Sequence, residues 1–322
     1  MVKEELRQNT NARPYGKLFS LYFPAISYTR HPYARGTIGS LDNLQSAQID
    51  DVRAFHATYY RPDNAVLVVS GNFDPKQLDA WVDQYFAGIK RPTTPIPRVT
   101  VTEPERTSAT HYVVREANTP LPAVMISYPI PADSDLDNAA LTVLNAVLSQ
   151  GESSRLYETL VYRDQLAQSA ESVLDSKQGP GNLAVFAILA GGKKAADGET
   201  ALRREVARLR NTPVSAAELA EAKNEILTSA LESRETAEGK GRTIASSVII
   251  DRDPRAADRQ LAAIGQVTAA DIQRVAAKYL RDERSATIQY LPEDKTIAAP
   301  QNDRIEVADT VVVKPLVVPG AV

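Results

Sequence analysis

The side chains able to do acid–base or metal chemistry are few enough to weigh one at a time. The chain has 3 histidines and no cysteine, so thiolate metal sites, disulfides and a cysteine nucleophile are ruled out. His31 lies in a turn-like stretch, RHPYARG, while His56 falls in the middle of a helical pattern and His111 in a strand pattern. Two imidazoles on one helix share a zinc ion when they stand about one turn apart on one face. No two of these three do. No serine sits in a G-x-S-x-G setting, and there is neither a G-x-G-x-x-G nor a P-loop. Nucleophile-elbow hydrolysis and nucleotide binding are therefore without support. Taken alone, each histidine reads as a surface or hydrogen-bonded side chain.

The elements that must position any such chemistry are organised around Ser46–Phe73. Ser46 is a good helix N-cap, with Asp50 and Asp51 in the first turns where the helix dipole favours negative charge. Val52, Phe55 and Tyr59 then recur at helical spacing, and Ala65–Ser70 (AVLVVS) is an apolar, β-branched run of the kind buried on both faces of a sheet. This stretch has an echo at an offset of 220: Ile49–Gly71 lies over Ala269–Leu291 without a gap. Asp51/Asp271, Ala57/Ala277, Tyr59/Tyr279 and Arg61/Arg281 coincide, and Val52/Ile272, Phe55/Val275 and Val68/Ile288 are apolar in both. A repeat of this length is a duplicated domain, longer than the 20–50 residues of a solenoid unit. Sequence of the second copy begins near Ser108, so the same offset puts the start of the first copy roughly 110 residues ahead of Met1. The chain is expected to open inside a domain.

Elsewhere Val2–Asn9 is rich in helix formers, and Leu18, Leu21, Tyr22 and Ile26 keep helical spacing up to Pro32. Asp74-Pro75 starts a helix expected to turn Leu78, Trp81, Val82 and Tyr85 inward, and Pro92–Glu105 is a proline-rich linker. Beyond it, strands are expected at His111–Val114, Ala123–Tyr128, Ala170–Asp175, Leu183–Leu189 and Ala286–Tyr290. Helices are expected at Asp135–Gln150, Ser153–Arg163, Glu199–Arg210, Ala216–Glu232, Ala256–Ile264 and Ala269–Leu280. Intermixed helices and strands without strict alternation predict an α+β fold.

At 322 residues the length fits two domains. A net charge of −3, from 37 basic and 40 acidic residues well mixed along the chain, leaves no electrostatic footprint for nucleic acid. No apolar run approaches the ~18 residues of a membrane span.

Three stretches carry a resemblance: VKEELRQNTNARPYG, HPYARGTIGSLDNLQSAQIDDVRAFHATYYRPDNAVLVVSGNFD and SSRLYETLVYRDQLAQS. Together they resemble the pitrilysin/insulinase/mitochondrial-processing-peptidase family of zinc metallopeptidases, closest to its bacterial exported members. The resemblance implies two homologous metallopeptidase-like α/β-layer domains per unit. Residues 1–91 would be the C-terminal part of the first, zinc-bearing domain, truncated at its N-terminus. Residues 92–107 would be the linker, 108–292 the second domain and 293–322 a tail. It also implies Zn2+ held by two histidines of an H-x-x-E-H motif and by a glutamate on the next helix, the glutamate inside the motif acting as general base. The distal ligand maps to Glu5 in Val2-Lys3-Glu4-Glu5, and otherwise Glu5 is a solvated helix carboxylate. The same offset pairs Glu5 with Glu225.

Two departures qualify what carries over. No H-x-x-E-H occurs in the 322 residues, so the chain is expected to lack the catalytic histidines and base, to be inactive alone and not to hold zinc by itself. The Arg and Tyr with which many members grip substrate backbone fall at Val161 and Gln168, so no substrate-binding residue is carried over. Tyr162 and Arg163 read as helix-surface residues. The implied partners are a peptide substrate and a second family unit, as homodimer, heterodimer or tandem repeat; a non-catalytic subunit shaping an active homologue's chamber is the alternative. Export to the periplasm follows from the resemblance alone. An uncovered first domain is expected to be labile, with Ser108–Pro292 the stable part.

Overall fold

The sequence folds around one mixed sheet whose central strands are mostly apolar and buried. The structure, a computed structural model, describes residues 1–293; the expected tail beyond them lies outside the described residues. In chain order the elements are α1 (Val2–Leu6), α2 (Phe23–Ser27), α3 (Leu41–Ser46), α4 (Ile49–Tyr59), α5 (Pro75–Phe86), β1 (Thr110–Glu116), β2 (Ala123–Ile130), α6 (Asn138–Ser149), β3 (Ala167–Asp175), β4 (Gly181–Leu189), α7 (Ala195–Asn211), α8 (Ala216–Glu232), α9 (Ala237–Asp251), α10 (Ala256–Gln266), α11 (Ala269–Tyr279) and β5 (Ala286–Pro292). π-Helical turns occupy Arg7–Asn11, Leu18–Tyr22 and Tyr157–Arg163. The fold is α+β. By contact the described residues form two compact units, one of Met1–Leu41, Val101–Leu227 and the chain from Leu261, the other of Asp42–Thr100 and Thr228–Gln260.

In the first unit the strand order is β1-β5-β2-β4-β3, with β1 and β5 parallel and the other neighbours antiparallel. Successive residues of a strand face opposite sides, and both sides are covered. Val124, Ile126, Tyr128, Leu183, Val185 and Ala187 join the core built with α6, α7 and α11. Their neighbours Ala123, Met125, Ala184 and Phe186 pack instead with Tyr15, Leu18 and Ile26 of the N-terminal helical segments. This is why LAVFAIL reads as an unbroken apolar run and AVMISY as one interrupted only by Ser127. Tyr15 takes a left-handed backbone, φ 59°, and donates its hydroxyl to the Leu121 carbonyl at 3.0 Å, fixing the N-terminal turn to this layer.

A buried carboxylate ties α11 to the start of α6. Asp137, the residue before α6, accepts from Arg274 Nη1 at 2.6 Å, Lys278 Nζ at 2.8 Å and the Tyr279 hydroxyl at 2.8 Å. Burial alone would raise its pKa, but the hydrogen bonds from Lys278, Arg274 and Tyr279 outweigh that and bring it down to about 2.

The second unit departs from expectation at three places. Ser46 closes α3, donating to the Asn43 carbonyl, and Gln48 takes the N-cap of α4 in a reciprocal box with Asp51. The expected buried strand Ala65–Ser70 belongs to no ladder among the described residues, and most of its residues are exposed. A strand forms only against a hydrogen-bonding neighbour, and none is present there. The α5 face was expected to turn inward, yet Trp81 and Tyr85 are exposed; the Asp74 cap does form, accepting from Gln77 N. Each large apolar side chain left in water forgoes about 1.5–3 kcal/mol. Helix α9 was not anticipated. It starts at a Thr236 cap and approaches the extended segment at Gly241, where a β-carbon would stand 3.2 Å from Ser70 Cβ. Arg61 is buried and donates to the Pro92 and Thr94 carbonyls, pinning the proline-rich stretch.

Two expected outcomes follow from this packing. Asp137→Ala should cost about 2 kcal/mol in urea melts, below the usual figure for a buried pair because Arg274 and Lys278 keep contact with solvent. The wild-type contribution should be complete above the unfolded carboxyl pKa of ~3.9 and vanish as pH falls through the folded value, so wild type and variant should converge in acid. Limited proteolysis should cut within Asp42–Thr100 before touching β2, β4 or Met1–Leu41, because the N-terminal segments are core to the sheet; early loss of β4 would contradict this.

Candidate functional site

Helix α1 carries two adjacent carboxylates with different surroundings. Glu4 accepts from Gln8 Nε2 at 3.0 Å and lies 3.6 Å from Arg7 Nη1. Glu5 is exposed and its side chain makes no hydrogen bond or ion pair among the described residues. Leu6 is buried just beyond, and the chain widens into the π-helical turn Arg7–Asn11. Such a wide turn re-aims side chains and recurs at functional sites. Of the two, Glu5 is the carboxylate free to accept a ligand.

The repeat offers a view of the same position in the second copy, where the carboxylate is also exposed but has a neighbour. Glu225, the counterpart of Glu5, lies on a face of α8 with Glu218 and Glu221. Arg155 Nε donates to Glu218 at 2.7 Å, Ser153 Oγ to Glu221 at 2.5 Å, and Gln150 Nε2 to Glu225 at 3.4 Å. This face therefore reaches the residues that follow α6. Arg155 beside Glu218 holds that carboxyl down at about 2.

The histidines occupy structural positions. His31 is buried, its Nδ1 accepts from Tyr33 N at 3.3 Å, and burial pushes its pKa down against the opposing pull of Glu103. His56 stacks on Tyr60 with ring centroids 4.9 Å apart, and His111 Nε2 lies 2.9 Å from Glu199. Among the described residues no three His, Asp or Glu side chains come together as a metal site.

Val161 falls in the π-helical turn Tyr157–Arg163, with Tyr162 exposed and Arg163 paired to Asp164 at 3.0 Å. Gln168 sits at an irregularity of β3: the register with β4 passes from Ala167 to Ser169 and leaves Gln168 unpaired. A bulge turns its residue away from the ladder. The sequence carried no sign of this irregularity.

Glu103 was likewise hidden, inside what reads as a linker. Its carboxylate accepts from the backbone N–H groups of Thr29, Arg30 and His31 and from the Thr29 hydroxyl, at 2.6 to 3.0 Å. It thereby clamps the RHPY turn. Burial opposes the charge, yet these donors keep the carboxyl below its usual range.

The sequence family described as the peptidase M16 inactive domain matches residues 46–226, more than half of the chain. The chain belongs to the peptidase M16 family. It is 28% identical over 297 residues to the zinc protease PqqE of Helicobacter pylori, covering 91% of this chain and 66% of that protein. A zinc protease of Mycobacterium leprae is 29% identical over 175 residues, covering 54% of this chain and 39% of its own length. The M16 chain thus spans at most about two thirds of these relatives. A protease from Helicobacter pylori, known from its crystal structure, superposes with a TM-score of 0.85 at 26% identity, covering 90% of this chain and 70% of that one. The matched M16 segment contains Glu225 and leaves Glu5 outside it.

Glu103→Ala should lower stability by about 1–2 kcal/mol, because it strands amide donors that charge-assisted bonds now satisfy. Hydrogen exchange at the Arg30 and His31 amides should speed up while exchange in β4 is unchanged.

Proposed function

We propose that the chain is part of an exported zinc metallopeptidase unit acting on peptides or unfolded protein segments. In this reading Glu5 is the third zinc ligand of a site whose two histidines and general base lie on another stretch of polypeptide. One observation carries it: Glu5 is the unpaired carboxylate of α1, and its repeat counterpart Glu225 reaches the end of α6. In a covered first domain, the matching geometry would aim Glu5 at the end of the helix equivalent to α6. Family membership and the zinc-protease relatives support the substrate class. The domain boundaries 1–91, 92–107 and 108–292 belong to this reading, as does the periplasmic location.

The residues present do not fit a catalytic zinc ion by themselves. Such a site takes three protein ligands with an open fourth position, and Glu5 stands without an imidazole in any metal-holding cluster of the described residues. No hydrolytic step is assigned to this chain alone. Its contribution is the carboxylate arm on α1 and pairing with a second family unit. A non-catalytic partner subunit is the second reading, favoured by the match of residues 46–226 to a domain described as inactive.

Metal analysis tests the proposal. The purified chain with equimolar zinc should retain well below one ion after desalting and should leave unfolded peptide substrates uncut. Stoichiometric zinc together with cleavage would overturn it. In a longer chain or complex that supplies the two histidines, Glu5→Gln should lower zinc affinity by more than about tenfold, whereas Glu4→Gln should not; equal effects would remove Glu5 as the ligand.

A further inference from the structure

The starts of β1, β4 and β5 and the end of β2 gather at one end of the sheet. β1 and β5 run parallel and start together, Thr110 opposite Ala286, while β2 runs against β5 and β4, so its last residues pass the starts of both. Arg106 lies just ahead of β1, and Arg284 closes the 3-10 turn Asp282–Arg284 just ahead of β5. With Thr110 they line a cavity of about 490 Å³, whose apolar wall is Pro129, Ile130, Pro131 and Pro180.

Three donors in this lining have nothing to donate to. Nη1 of Arg106, Nε of Arg284 and the Thr110 hydroxyl are buried and unpartnered among the described residues. Arg106 is the least compensated. Its Nη2 donates to the Ile26 carbonyl, and among the described residues no carboxylate comes within ion-pairing distance. Burial pushes its pKa down, against the attraction of Tyr112 and Glu103.

Two carboxylates also border the cavity. Glu103 is committed, its oxygens taken by the Thr29, Arg30 and His31 amides and the Thr29 hydroxyl. Glu105 pairs with Arg284 Nη2 at 3.0 Å but is 69% exposed, so water screens its charge. A partly buried guanidinium without a close counter-charge carries a desolvation cost that an incoming anion offsets. The wall narrows the class of anion. An inorganic ion gains nothing from a proline and isoleucine surface, whereas an anion on an apolar body gains from both parts of the site.

We propose that this cavity binds the C-terminal carboxylate of a peptide, with Arg106, Arg284 and Thr110 as donors and the last side chain against Pro129, Ile130 and Pro180. A planar carboxylate matches the fork of a guanidinium. The choice of a peptide rests on the functional reading above; the choice of an anion with an apolar body rests on the cavity alone. Such a site holds the end of an unfolded segment without taking part in any metal chemistry.

The test titrates the full chain, without zinc, with acetyl-Ala-Ala-Ala-Leu as the free acid and as the C-terminal amide. Calorimetry should show the acid binding at least about tenfold more tightly than the amide. In NMR spectra the acid should shift the Nε resonances of Arg106 and Arg284. Arg106→Gln should bring the acid down to the affinity of the amide. Thr110→Val removes a buried hydroxyl that has no partner, so it should melt no lower than wild type and still bind the acid several-fold more weakly. Arg284→Gln, which forfeits one solvent-screened ion pair, should weaken the acid likewise and carries the test with Thr110→Val where Arg106→Gln fails to fold. Equal affinity for acid and amide, no binding of either, or binding untouched by both Arg284→Gln and Thr110→Val would overturn the proposal. So would equally tight binding of inorganic phosphate, since the apolar wall would then contribute nothing. Zinc retention and cleavage play no part in these readouts, so failure here leaves the functional reading standing, and failure of that reading shows in metal analysis instead.

Discussion

A strand has two edges and two faces, and an apolar strand is stable only when all four are satisfied. β2 and β4 meet this condition: each is paired on both edges and buried on both sides by helical layers. Much else in the first unit follows from it. The N-terminal segments are held because Leu18 and Ile26 are needed on one face, and α6, α7 and α11 because Leu141, Leu202 and Val275 are needed on the other. Asp137 then fixes α6 against α11, so α6 is anchored at its start by charge and along its length by apolar contact.

That anchoring gives the repeat its explanatory value. One copy of the helix–turn–extended unit is fully covered and the other is not, although their element bounds agree residue for residue. Local sequence therefore suffices to form the helix and its cap, whereas the strand that follows requires neighbours. The free carboxylate of Glu5 belongs to the same contrast, since Glu225 has polar company from the end of α6 and Glu5 has none among the described residues.

What was legible in the sequence divides along the same line. β2 and β4 were expected at Ala123–Tyr128 and Leu183–Leu189, and α4 and α5 were marked by an acidic first turn and by the Asp74 cap. Ser46 misled because Gln48 together with Asp51 satisfies more backbone donors than a lone serine. Ala65–Ser70 misled because composition records a preference for burial and not the presence of a partner. Helix α9 was obscured by Gly239, Gly241 and its β-branched residues, which depress helix propensity; tertiary contact at Gly241 overrides it. At the site, Glu5 was legible only through resemblance. Glu103 and Gln168 were not legible at all, since a carboxylate accepting from distant amides and a one-residue ladder irregularity leave no periodic trace.

The π-helical turn Tyr157–Arg163 and the unpaired Gln168 are each a single residue in excess of regular geometry, separated by only a few positions. At both places irregular backbone is accommodated while the flanking core stays buried. Chain length between Leu156 and Ala170 can therefore change by one residue at either place while Leu160 and Ala170 stay in register with the interior. Related sequences should differ in spacing here far more freely than in the uninterrupted runs of β2 and β4, which have no slack to give.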